Sequence, residues 1–142
     1  MNAEQAGEVP IHSESDIVAT RRTVRTAATQ LGFGVTDITR IVTAASELAR
    51  NIFLYAGSGI MRWQVLDTGS KVGIELMFED SGPGITDVEQ AMQAGYTSGG
   101  GLGMGLPGAK RLMDEFEIAS EIGKGTIVTA KKWHRRLGDS PP

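Results

Sequence analysis

The chain has 142 residues, with 14 Lys and Arg against 17 Asp and Glu for a formal net charge of −3. That balance argues against broad nucleic-acid binding, and the absence of cysteine excludes disulfides and thiolate metal sites. With 40% hydrophobic and 22% charged residues it reads as one globular domain over 1–142, long enough to bury a core, with flexible ends at about 1–8 and 137–142.

The first ten residues, "MNAEQAGEVP", have neither a basic n-region nor an apolar h-region, and no apolar run reaches membrane-spanning length. The expectation is a cytoplasmic protein that engages neither membrane nor nucleic acid. A short strand is expected at "VPIHS". Ser13 opens an S-x-x-D capping pattern with Asp16, and Ile17, Val24, Ala28 and Leu31 follow at helical spacing up to a stop at Gly32. A second helix is predicted from Thr36 as its cap to near Gly57. Its apolar face carries Ile38, Ile41, Val42, Ala45, Leu48, Ala49 and Ile52.

Two strands come next. "IMRWQVLD" places Met61, Trp63 and Val65 on one face, and "KVGIELMFED" does the same with Val72, Ile74, Leu76 and Phe78. "DTGSK" between them is turn chemistry, which makes a hairpin. A short helix is predicted around 86–94. A last helix carries Leu106, Ala109, Leu112, Met113 and Phe116, with Pro107 in its first turn. "FEIASEI" and "TIVTAKKW" around "GKG" form a second hairpin, and "KKWHRR" at 131–136 reads as a strand end running into a solvated tail. Helices on one face of a mostly antiparallel sheet make an α+β, two-layer sandwich.

Three stretches carry chemistry. In "SELARN", Glu47 and Asn51 lie four apart on the second helix, about 40° apart around the axis and about 6 Å along it. They share a patch off the apolar stripe, suited either to a base beside a hard-cation ligand or to a solvated face. In "EDSGPGI", strand parity puts Asp80 on the core face, where an ionised carboxylate is costly unless paired. Asp80 therefore either ends the strand at the surface or meets a specific donor. The third stretch, "YTSGGGLGMGLPG" at 96–108, leads into a helix N-terminus, which makes it an anion site or a mobile linker.

Gly103, Gly105 and Gly108 match G-x-G-x-x-G, but "QAGYTSGG" before them cannot be the buried strand that the dinucleotide fingerprint needs. The P-loop pattern is absent, and so are the H-R-D and D-F-G signatures of protein kinases. His12 and His134 stand far apart without acidic spacing, so a metal held by protein side chains alone is not expected.

Taken in order, "ELARN", "DSGPG", "GGGLGMGL" and "GKGT" resemble the N, G1, G2 and G3 boxes of the GHKL (Bergerat-fold) ATPase/kinase superfamily. The four span residues 47–126. "SELARNI" and "GLPGAKRLMDEF" are similar to the RsbT-type switch serine/threonine kinases of bacterial stressosome modules. The resemblance implies a Bergerat fold, ATP and Mg²⁺. It implies Asp80 accepting from the adenine amino group, Asn51 coordinating Mg²⁺ and Glu47 as general base. Gly82 and Gly84 would let the backbone approach the base, and Thr126 would support the adenine. Gly99, Gly100, Gly101, Leu102, Gly103, Met104, Gly105 and Leu106 would form the lid around the phosphates. One departure is that the lid carries no basic residue for the γ-phosphate, which leaves Lys110 and Arg111 as candidates beside their ordinary place on a solvated helix face.

The function implied is an Mg-ATP-dependent protein serine/threonine kinase. Its substrates would be STAS-domain stressosome proteins, and on release it would switch to an output protein such as a PP2C-type phosphatase. The alternative is an anti-sigma factor of the RsbW/SpoIIAB type. A sensor histidine kinase domain fits poorly, since His12 lies in no dimerisation helix.

Overall fold

The computed structural model describes residues 5–85, Met92 and 105–135. Within them the order is β1 (Ala6–Ile11), α1 (Glu14–Gln30), α2 (Val35–Asn51), a π-helical turn (Ile52–Ala56), β2 (Gly59–Asp67), β3 (Lys71–Asp80), α3 (Gly105–Leu112), β4 (Glu115–Glu121) and β5 (Gly125–Arg135). The five strands form one antiparallel sheet in the order β1-β2-β3-β5-β4. The helices cover one of its faces, as an α+β two-layer sandwich requires. The short helix predicted around 86–94 lies outside the described residues, apart from Met92.

Both hairpins form where the turn chemistry sits, with Gly69 and Gly123 at positive φ. Alternation sorts the faces as expected: Met61, Trp63, Ile74, Leu76 and Phe78 are buried under the helices. They share one core with Ile41, Val42 and Leu48 of the second helix, Ile52 of the π-helical turn, and Val24 and Ala28 of the first helix. Burying each large apolar side chain is worth about 1.5–3 kcal/mol, so this seam dominates the fold's stability. Pro10 is accommodated because β1 is an edge strand.

Several local expectations are corrected. The cap of α2 is Gly34, not Thr36, because the Gly34 carbonyl already accepts from the Ile38 N–H at 2.9 Å and so starts the helix at Val35. Phe116 belongs to β4 rather than the last helix, which ends at Leu112. Ser13 caps α1 without bonding a backbone amide. Its hydroxyl instead donates to Asp16 Oδ2 at 3.0 Å, and the same oxygen accepts from the His12 N–H at 3.0 Å. The first strand runs from Ala6 and stops before His12.

The "KKWHRR" stretch is more than a strand end. Parity in β5 turns Lys132 inward, where it is 7% exposed. Its ammonium donates to the Leu112 carbonyl at 2.9 Å and lies 3.4 Å from Asp114 and 3.8 Å from Asp37. One buried cation thus ties the end of α3 to the start of α2.

Candidate functional site

Glu47 and Asn51 are both half-buried, flanked on the helix by buried Leu48, Ala49 and Ile52. Immediately after Asn51 the helix widens into its π-helical turn, a feature that recurs at functional sites. Gly57, at φ +81°, ends it and returns its N–H to the Ile52 carbonyl at 2.9 Å. The widened turn carries Ala56 out toward the loop that follows β3. A Cβ on Gly82 would meet the Ala56 Cβ at 2.6 Å, so only glycine fits there.

Asp80 stands on the helix-covered face at the last position of β3. Its neighbours across the sheet are Gly59 of β2 and Thr126 of β5. A Cβ on Gly125 would strike the Asp80 carbonyl, and one on Gly59 would come within 3.2 Å of the Asp80 Cβ. Glycine at Gly59 and Gly125 therefore lets the two flanking strands pack tightly against the Asp80 backbone and Cβ. Oδ1 accepts from the Gly82 N–H at 2.9 Å, which folds the turn back on the strand. Among the described residues no donor reaches Oδ2. The inward parity is thus resolved by a carboxylate at the end of the core, half-bonded to its own turn.

The loop beyond Asp80 is anchored to the second hairpin. Gly84, at φ +81°, packs against the Glu121 backbone, and the Gly123 N–H donates to the Pro83 carbonyl at 2.9 Å. The Ile85 N–H donates to Ser120 Oγ at 2.8 Å. Ser120 in turn lies 2.8 Å from the Thr126 hydroxyl, and Thr126 is 9% exposed. Sequence reasoning missed Ser120, although strand parity marks it as the polar residue in line with inward Phe116 and Ile118.

The N-terminus of α3 reaches the same region. A Cβ on Gly105 would lie 2.6 Å from Asn51 Nδ2 and 2.8 Å from Oδ1, so the backbone of the helix start rests directly on the Asn51 carboxamide. The positive end of the α3 dipole therefore sits beside Asn51. Leu106 packs against the core behind it. Lys110 and Arg111 are exposed in the last turn of α3, at the end remote from Asn51. Gly99, Gly100, Gly101, Leu102, Gly103 and Met104 lie outside the described residues.

The structure thus groups Glu47, Asn51 and Gly105 on the helical side. It groups Asp80, Gly82, Gly84 and Thr126 on the sheet side, and the π-helical turn joins the two groups. Glycine at Gly82 and Gly105 lets the backbone close directly on Ala56 and on Asn51, which is what brings the two groups together. Among the described residues no three His, Cys, Asp or Glu side chains gather as a metal site, so any cation here needs ligand oxygens besides Asn51. No helix among the described residues is long and apolar enough to cross a membrane.

Comparison with known proteins identifies the family and the fold. The histidine kinase-like ATPase domain family matches residues 12–132. The chain is 55% identical over 128 residues to the serine/threonine-protein kinase RsbT of Bacillus subtilis, covering 89% of this chain and 96% of RsbT. It is 35% identical over 133 residues to an anti-sigma F factor of a Thermoanaerobacter species, covering 89% of this chain and 92% of that one. Among solved structures, the RsbU and RsbW domains of Rv1364c from Mycobacterium tuberculosis superpose with a TM-score of 0.62 at 17% identity, over 94% of this chain and 33% of that one. The mycobacterial sensor histidine kinase MprB gives 0.56 at 19% identity, over 92% of this chain and 99% of that one. These two likenesses show the shared fold. The chain belongs to the histidine kinase-like ATPase family, the GHKL superfamily that its four boxes resemble, and it is by class a serine/threonine-protein kinase.

Proposed function

We propose that this protein is an Mg-ATP-dependent kinase that transfers the γ-phosphoryl group to a serine or threonine of a STAS-domain stressosome protein. The observation that carries the reading is the seating of the α3 N-terminus on Asn51, one helical turn from Glu47. That juxtaposition puts an anion-binding helix end, an amide oxygen and a carboxylate within one site. Family membership implies ATP as the nucleotide.

Asp80 accepts a hydrogen bond from the adenine amino group through the oxygen that Gly82 leaves free. Gly82 and Gly84 let the loop backbone lie against the base, and Thr126 supports its edge. The glycine-rich box, residues 99–106, is assigned to the phosphates. Asn51 holds Mg²⁺, which when bound neutralises charge on the phosphate oxygens. Glu47 takes the proton from the acceptor hydroxyl as that oxygen attacks the γ-phosphorus and the bond to the bridging oxygen breaks, ADP leaving with the electron pair, the role of a positioned general base. Phosphorylation places a charged group in the interface with the substrate and frees the kinase for a second partner, a PP2C-type phosphatase or similar output protein. All of this takes place in the cytoplasm.

The 35% identity to an anti-sigma F factor favours a second reading, in which the chain sequesters a sigma factor in a nucleotide-dependent way. One assay separates the two. Purified protein, Mg-ATP and a STAS-domain protein are mixed, and intact-mass spectrometry follows addition of one phosphoryl group, with Asp80→Asn as the nucleotide-site control. Phosphate on the STAS protein, lost in the variant, supports the kinase. ATP binding without transfer, together with capture of a sigma factor, supports sequestration instead.

A further inference from the structure

Ser120 carries a hydrogen-bond arrangement that constrains the base end of the site. Three groups surround its hydroxyl oxygen: the Ile85 N–H at 2.8 Å, the Gly125 carbonyl at 3.2 Å and the Thr126 hydroxyl at 2.8 Å. A serine hydroxyl has one proton to give and two lone pairs to receive with. The Ile85 amide can only donate to it, which uses one lone pair. The Gly125 carbonyl can only accept, which uses the proton. The remaining lone pair then receives the Thr126 proton. This is the one arrangement that satisfies all three partners together, and buried polar groups settle into such arrangements because an unmade bond is costly.

The consequence falls on the neighbouring strand. With its proton committed to Ser120, Thr126 has only lone pairs to show toward the site. Its cross-strand neighbour on the same face is Asp80, whose Oδ2 is also an acceptor. Directly opposed residues place their Cβ atoms about 4.5–5.5 Å apart, so the two acceptors face one small region together. A ligand group placed there must donate. A purine 6-amino group does so with two N–H bonds, whereas a 6-oxo group brings lone pairs against lone pairs.

We propose that Ser120 is a positioning residue that sets the hydrogen-bond polarity of Thr126, making the base end of the site acceptor-only and selective for 6-amino over 6-oxo purine nucleotides. This rests on the nucleotide reading above and adds to it a residue outside the four boxes. In Ser120→Ala the Thr126 proton loses its acceptor and turns toward the site, where it can meet a 6-oxo group.

The test is titration calorimetry of ATP and of inosine triphosphate, which exchanges the 6-amino group for a 6-oxo group, on the wild-type protein, Ser120→Ala and Ser120→Thr. The wild type is expected to prefer ATP. In Ser120→Ala the ratio of the two dissociation constants narrows by roughly three- to tenfold, the worth of one hydrogen bond, and in Ser120→Thr it is kept. Should Ser120→Ala lose its folded thermal transition, Ser120→Cys, which keeps the volume but accepts only weakly, serves in the same comparison. Equal weakening of both nucleotides, with the ratio unchanged, means that Ser120 only braces the loop through Ile85, and it overturns the inference alone. A wild-type protein that binds neither nucleotide overturns the nucleotide reading itself.

Discussion

Gly105 and Asn51, far apart in sequence, are in backbone-to-side-chain contact: the place where a Cβ would stand on Gly105 is taken by the Asn51 carboxamide, 2.6 Å from Nδ2. The contact couples α3 to α2. Gly105→Ala sets two effects against each other. Alanine favours a helix over glycine by about 1 kcal/mol, while forcing a methyl into an occupied position costs about 1–3 kcal/mol. The clash wins, and Asn51 is displaced from the helix start. Titration calorimetry should show ATP affinity reduced about fivefold, the roughly 1 kcal/mol left when the helix gain is set against the middle of that cost. Unchanged affinity would show that Asn51 can move aside without loss.

Glu47 and Asn51 share a helix face but have different proposed roles, so their variants should separate. Glu47→Gln keeps shape and removes the base, and phosphoryl transfer should fall by about 10²–10⁴ with nucleotide affinity preserved. Asn51→Ala should weaken Mg-ATP binding as well as transfer. Stopped-time mass spectrometry and calorimetry on both variants make the comparison. Transfer that survives Glu47→Gln while Asn51→Ala abolishes it would remove Glu47 from the chemistry.

Lys132 joins Leu112, Asp114 and Asp37 from a nearly buried position. Truncation to alanine leaves the Leu112 carbonyl unpaired and a void where the stem lay, though the half-exposed aspartates can rehydrate. Lys132→Ala should lower unfolding free energy by about 2–4 kcal/mol, and Lys132→Met, which restores the stem, by less. Urea denaturation followed by far-UV circular dichroism measures both. A loss below about 0.5 kcal/mol, the size of an ordinary surface change, would deny the ammonium this role.

Asp16 supplies a pH signature at the start of α1. The His12 backbone N–H bonded to its carboxylate lowers its pKa below the ordinary 3.8, with help from the Ser13 hydroxyl and the His12 ring. A depressed carboxylate contributes stability that is present in full above 3.8 and is lost as pH falls through the lowered folded-state value. The wild type should therefore exceed Asp16→Asn in denaturation midpoint at neutral pH. The gap should close at pH well below 3.8. A gap that persists unchanged under acid would assign the difference to packing instead.

What could be read from the sequence alone was whatever local periodicity encodes. The 3.6-residue stripe from Ile38 to Ile52 and the alternation of Val72 to Phe78 are properties of neighbouring residues, and both sort into the core as read. The inward parity of Asp80 was legible for the same reason. So were the turns at "DTGSK" and "GKG", because glycine at positive φ is a local demand. The tertiary structure decided everything that depends on which segments meet. What surrounds Asp80 turned on Gly59, Gly125 and Thr126 standing beside it on two other strands, while its one bonded partner is the Gly82 N–H of its own turn. Lys132 seemed part of a solvated basic run until the ends of two helices closed over it and supplied a carbonyl and two carboxylates. Strand parity turns Ser120 inward, but its hydrogen bonds and the contact of Gly105 with Asn51 left no mark in spacing, since hydrogen bonds and close packing between distant segments exist only once the sheet and helices have assembled.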